Sequence, residues 1–114
     1  MEKDLEERTK AFALAVIVYC SKLRRDRAAD VLAKQLLRSA TSIGANYREA
    51  NRGVSRPDFR NKIGTVAKEA AETVYWIELL IDSQIGDSDG ADALHKEASE
   101  LLAIFTSIGK RLKE

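Results

Sequence analysis

Residues 91–112 read ADALHKEASELLAIFTSIGKRL, and the pattern in this stretch decides the fold. Leu94, Ala98, Leu101, Phe105, Ile108 and Leu112 alternate spacings of four and three without a break. Such spacing lines one side of an α-helix with apolar groups, as in helices that pack side by side. Asp89 and Asp92 stand near the start of the stretch and Lys110, Arg111 and Lys113 near its end, which complements the helix dipole. A helix of this kind draws its stability from other helices that cover its apolar side.

Working upstream, Gly86-Asp-Ser-Asp-Gly90 is the clearest loop in the chain. Before it, residues 56–84 read as a helix opened by Ser55 as cap, with Pro57 and Asp58 in its first turn. Its core stripe is Ile63, Val66, Ala70, Val74, Ile77 and Ile81. A second stripe, Thr65, Glu69, Glu72, Trp76 and Leu79, sets an indole beside two carboxylates and suggests a surface that meets a partner. Residues 28–52 read as a helix capped by Asp26, with a stripe of Leu32, Leu36, Ser39, Ile43, Tyr47 and Ala50. Small residues around Gly44 invite the close approach of a neighbour, and Gly53 is placed to end this helix as a left-handed cap. The first helix, about residues 3–24, has Leu5, Thr9, Phe12, Val16, Tyr19 and Leu23 on its core side. Its segment Ala11 to Cys20 is apolar on every side, more than three neighbours in one bundle can cover.

Four helices of similar length joined by short connections predict an all-α, antiparallel up-down-up-down four-helix bundle filling residues 1–114 as one domain. The rest of the sequence agrees. One proline, sparse glycine, and abundant Ala, Leu, Glu, Lys and Arg favour helix. The single Cys20 can form no internal disulfide and points to a reducing, cytoplasmic setting. The charged start Met1-Glu-Lys-Asp-Leu-Glu-Glu-Arg8 does not read as a secretion signal. An apolar run of ten residues is too short for a membrane span, which takes about 20.

The net charge is +1, yet the charges are sorted. Residues 22–62 carry a net +7 and residues 63–107 a net −7. Most of this follows from acids at helix starts and bases at helix ends. Arg56, Arg60 and Lys62 do not, because they sit in the first turns of a helix, where positive charge is unfavourable. With Arg48 and Arg52 across the Gly53 turn they make one basic end, which Lys110, Arg111 and Lys113 also reach and nearby acids of the first helix weaken. Such a cluster suits phosphate groups, and without interleaved aromatics it suits backbone contact better than base stacking.

Little in the chain suggests catalysis or a cofactor. His95 is the only histidine, and Asp92-x-x-His95 is a single fragment of the pattern that di-iron bundles repeat on two helices. Glu69 and Glu72 share a helix face and are better suited to pairing with Arg38, Asn46 or Arg48 than to acid–base work. Cys20 reads as a small core residue.

Gln35-Leu-Leu-Arg-Ser-Ala-Thr-Ser-Ile-Gly-Ala-Asn46 and Arg48-Glu-Ala50 resemble the signature of the 23S ribosomal RNA intervening-sequence proteins. So do Asp58-Phe59, Lys68-Glu-Ala-Ala-Glu-Thr73, Tyr75-Trp-Ile-Glu-Leu-Leu80 and Glu100-Leu-Leu-Ala-Ile-Phe-Thr-Ser-Ile108. The resemblance spans about residues 5–112, and departs from the family pattern at Arg56-Pro57 and Gly64-Thr-Val66. It implies a four-helix bundle that assembles into a ring-like homopentamer. The accessory protein of diversity-generating retroelements is similar in fold and assembly, and binds nucleic acid and a reverse transcriptase through a basic surface. A non-enzymatic homo-oligomer is therefore expected, with RNA or another nucleic acid bound at Arg48, Arg52, Arg56, Arg60 and Lys62. Tyr19, Glu69, Glu72, Trp76 and Leu79 are the expected subunit contacts. The competing expectation is a protein-interaction scaffold or accessory subunit with no nucleic-acid role of its own.

Overall fold

Asp26 leaves helical geometry and its carboxylate accepts the Ala29 N–H at 2.8 Å, so a helix starts behind it. Ser55 does the same for the next helix by accepting the Asp58 N–H at 3.2 Å. The computed structural model describes residues 4–53 and 55–113. They form α1 (Leu5–Ser21), α2 (Arg27–Asn51), α3 (Arg56–Asp82) and α4 (Ser88–Lys113). The expected helical position 3 and the acid Glu2 lie outside the described residues.

Each helix packs on the next in the chain, and α1 closes the square against α4. The α1 and α3 backbones do not approach one another, nor do those of α2 and α4, so these pairs stand at opposite corners. The result is a bundle 44 Å long and 22 × 20 Å across. Packing is densest where α3 meets α2 and α4, and thinnest between α1 and α4. No helix among the described residues is long and apolar enough to cross a membrane.

The core follows the expected stripes in α1, where Leu5, Thr9, Phe12, Val16 and Tyr19 are all buried. In α2, Leu36, Ser39, Ile43, Tyr47 and Ala50 are buried, with Leu32 at the margin. In α4, Leu94, Ala98, Leu101 and Phe105 are buried, while Ile108 and Leu112 are only partly covered.

The α3 stripe differs from expectation: Thr73 and Leu80 point inward in place of Val74 and Ile81. Thr73 tolerates this because its hydroxyl lies 2.8 Å from both the Glu69 carbonyl and Ser39 Oγ, so a polar group is buried with partners. Gly44 faces α1 closely enough that a β-carbon there would lie 3.0 Å from Thr9 Oγ1, the tight approach its small neighbours suggested.

Three helix ends also differ. α1 stops at Ser21 and α3 at Asp82, short of the expected 24 and 84. Beyond α3, Gln84 takes a left-handed φ of 60°, and the Ile85 N–H reaches back to the Leu80 carbonyl at 3.0 Å. This is a Schellman end, carried here by a glutamine. α4 starts three residues early, because Asp87 Oδ2 accepts the Gly90 N–H at 2.8 Å and turns Ser88–Gly90 into a first helical turn. Gly53 does end α2, but with an ordinary negative φ rather than the left-handed one expected.

Candidate nucleic-acid and subunit interfaces

The turn between α2 and α3 places Arg52, Arg56 and Arg60 at one end of the bundle. All three are exposed, and none has an ion-pair partner among the described residues. Arg56 and Arg60 lie at the positive end of the α3 dipole, so the fold gains nothing from their charge there.

The other two candidate cations are engaged. Lys62 Nζ donates to Glu49 Oε1 at 2.7 Å, and this contact holds the Glu49 carboxyl below its ordinary range. Arg48 Nε stands 3.8 Å from Glu6 Oε1, and Asn51 Nδ2 donates to Glu6 Oε2 at 2.8 Å. Glu6 thus sits at the basic end, as the expected weakening of its field requires.

A β-carbon on Gly109 would lie 3.9 Å from Ile63 Cγ2, so the end of α4 runs beside the start of α3. Exposed Lys110, Arg111 and Lys113 therefore extend the positive rim. An open groove of about 410 Å³ runs along the turn, lined by Arg52 and Lys62 but also by Glu49 and Asp58.

The expected subunit contacts divide. Tyr19 is a core residue of its own subunit, 9% exposed, with Oη donating to the Ile85 carbonyl at 3.3 Å. It continues the Phe12–Val16 side of α1, which turns inward, so it is corrected from surface contact to core. Burial pushes its phenol above the ordinary tyrosine range. Glu69 and Glu72 are both taken by Arg38 of α2, Glu69 at 3.4 Å. The pair with Glu72 is the stronger influence on Arg38 and holds its guanidinium more firmly protonated than usual. The two carboxylates clamp α2 to α3.

Trp76 and Leu79 are half-buried on the same flank. The Trp76 Nε1–H is covered and has no hydrogen-bond partner among the described residues. Its ring meets Tyr75 edge-on at 5.1 Å.

The open apolar surface lies elsewhere: Leu14, Ile17, Val18, Val31 and Tyr75 are 45–57% exposed. The signal was present for α1. Once the stripe Leu5 to Tyr19 is assigned to the core, the remaining apolar residues of the Ala11–Cys20 run must face outward. Nothing comparable marked Tyr75, which reads as an ordinary neighbour of Trp76.

Two more groups have simple positions. His95 Nε2 lies 2.9 Å from Glu78 Oε2, linking α4 to α3 at the surface. Cys20 lines an apolar groove of about 460 Å³ between α1 and α2. Burial pushes its thiol up to about 11, above the ordinary value, so the folded state keeps the proton longer than the unfolded chain does. The stability this gives is complete below the unfolded pKa and is lost as pH rises toward 11. Melting from pH 8 to 11 is expected to fall more steeply for the wild type than for Cys20→Ala, and native Cys20 is expected to alkylate slowly at pH 8 compared with the urea-unfolded chain. Parallel melting curves and equal alkylation rates would contradict this.

A comparison with curated proteins finds no match. A solved structure described as a protein with unknown function from the S23 ribosomal protein family of Bacteroides thetaiotaomicron VPI-5482 is 37% identical, with a TM-score of 0.84. The match covers 92% of this chain and 97% of that one. The model of the family described as 23S rRNA-intervening sequence protein matches residues 3–107, nearly the whole bundle. With its four helices, their arrangement and the quoted motifs in place, the chain belongs to the 23S rRNA-intervening sequence protein family.

Proposed function

We propose that this protein is a non-enzymatic cytoplasmic homo-oligomer, a ring of five, that holds RNA or another nucleic acid against its α2–α3 end through phosphate contacts. The observation that carries the reading is the trio Arg52, Arg56 and Arg60: all exposed and without ion-pair partners among the described residues, with Arg56 and Arg60 also at the positive end of α3, where their charge does not stabilise the helix. Arg48 and Lys62 support the rim at its edge, exchanging Glu6 and Glu49 for phosphate when a ligand arrives. The names of the family and of the Bacteroides protein both refer to ribosomal RNA or ribosomes, which favours RNA. A ring repeats the trio around one axis, so contacts too weak singly add by avidity.

The test is titration with a structured RNA at several salt concentrations. Each phosphate contact contributes about 0.9 to the slope of log affinity against log salt on duplex nucleic acid, and somewhat less on single strands. A variant with Arg52→Glu, Arg56→Glu and Arg60→Glu is expected to bind at least about tenfold more weakly at low salt and to lose about two to three units of slope. Unchanged affinity in that variant would sink the reading.

One observation favours a second reading. Glu49 and Asp58 share the groove with the cations, and a mixed surface suits a protein partner better than a polyanion. Undetectable or salt-insensitive RNA binding would favour that scaffold or accessory-subunit role.

A further inference from the structure

A closed ring of more than two copies needs two unlike faces on each subunit, because each interface joins the front of one copy to the back of the next. The bundle has two such faces, and they stand on opposite corners. On α1 the outward side carries Leu14, 52% exposed, Ile17, 45%, and Val18, 53%. On α3 the outward side carries Tyr75, 53% exposed, with the small Ala71 one turn before it. One face is a cluster of aliphatic branches and the other a single aromatic ring on a low surface. Since α1 and α3 are diagonal, these faces look away from each other.

The two faces also lie at the same height. Thr9 of α1 lies against Gly44 of α2, and Ser39 of α2 is hydrogen-bonded to Thr73 of α3 at 2.8 Å. From Gly44 back to Ser39 is five residues, about 7.5 Å of antiparallel travel, which brings α1 from Thr9 to Leu14. Leu14 is therefore level with Thr73. Tyr75 lies about 3 Å further on and Val18 about 6 Å, so the ring falls between Leu14 and Val18.

Charge agrees at one edge. Lys22 follows α1 about 12 Å beyond Leu14, level with the stretch of α3 between Glu78 and Asp82. Asp82 has no ion-pair partner among the described residues, and Glu78 meets only His95. At the other edge Lys68 falls between the levels of Glu7 and Lys10, one charge of each sign.

We propose that copies of this chain join head to tail, the Leu14–Ile17–Val18 face of α1 seated on the Tyr75 face of α3 of the next copy, with the bundle axes running alongside the ring axis. The inference rests on the homo-oligomeric reading above and adds which surfaces meet.

Two variants block one face each: Leu14→Arg on α1 and Tyr75→Glu on α3. Both positions are exposed, so each variant is expected to keep its helical circular dichroism; Ile17→Arg and Ala71→Glu are second variants for the same faces. By light scattering, the wild type is expected to be a multimer and each variant a monomer. Mixed in equal amounts, Leu14→Arg and Tyr75→Glu retain one good α1 face and one good α3 face between them, and are expected to form a dimer of one each and nothing larger. A mixture that stays monomeric beside a multimeric wild type overturns the pairing while leaving the oligomer intact. Wild-type mass in either variant alone overturns it, because the blocked face would then not be part of the contact. A monomeric wild type removes the oligomer and the pairing together.

Discussion

Replacing Phe105 by alanine is expected to cost about 3–5 kcal/mol of folding stability, the range for removing a fully buried phenylalanine. Phe105 is 0% exposed and its ring meets that of Tyr47 at 5.3 Å, tilted by 59°. The contact joins α4 to α2 across the diagonal of the bundle, where their backbones do not touch. A cavity there has no nearby backbone free to collapse into it, and the tilted aromatic pair is lost as well, itself worth about 0.5–1.5 kcal/mol. At roughly 4 °C per kcal/mol for a chain of this size, the melting temperature should fall by about 12–20 °C. Thermal and urea denaturation at one fixed protein concentration checks this, since any self-association would make stability concentration-dependent. A loss below about 1 kcal/mol would mean that the centre of the bundle repacks far more freely than close-packed interiors do.

Gly86→Ala should be the most damaging single change outside the core. Gly86 has φ +83°, and a β-carbon on it would lie 2.5 Å from both Leu23 Cδ2 and Tyr19 Oη. The backbone conformation alone costs an L-residue about 1 kcal/mol, and forcing the Tyr19 ring and Leu23 apart adds about 1–3 kcal/mol. The total of about 2–4 kcal/mol should be accompanied by loss of the Tyr19–Ile85 hydrogen bond that ties α1 to the α3–α4 connection. Gly64→Ala is the control. Gly64 sits inside α3, where a β-carbon would meet nothing within 4 Å, and alanine there should stabilise by about 0.5–1 kcal/mol. If both substitutions moved the urea midpoint in the same direction, crowding at Gly86 would not be the cause.

The four helices were legible in the sequence because period and capping agree along most of the chain. The seam of α4 and the core side of α1 were read residue by residue. The register of α3 was not, because scoring by hydrophobicity prefers Val74 and Ile81 to Thr73. The choice is reversed by a partner, Ser39, that lies 34 residues away. The start of α4 was missed for a local reason. Gly86 to Gly90 looks like uniform loop until Asp87 is seen capping it, and Gly90 then belongs to the helix.

The basic end was legible as a cluster but not as a set of free charges. Nothing in the spacing tells Arg48 and Lys62, which meet Glu6 and Glu49, from Arg52, Arg56 and Arg60, which do not. Such pairs form between residues on different helices, and only packing brings them together. Tyr19 shows the opposite limit. Its place on the inward stripe was written in the spacing, yet an amphipathic aromatic on an apolar helix reads equally well as a surface anchor.

The placement of the start of α1 and the end of α4 has a practical consequence. α1 begins beside the end of α2, where Glu6 meets Arg48 and Asn51, and α4 finishes alongside the first turns of α3. Anything fused ahead of Leu5 or behind Lys113 therefore emerges next to the arginine trio rather than at the far end of a 44 Å rod. An acidic purification handle at either position lies within reach of these exposed arginines and masks their charge. A handle inserted in the Asp87 connection would be held a full bundle length away.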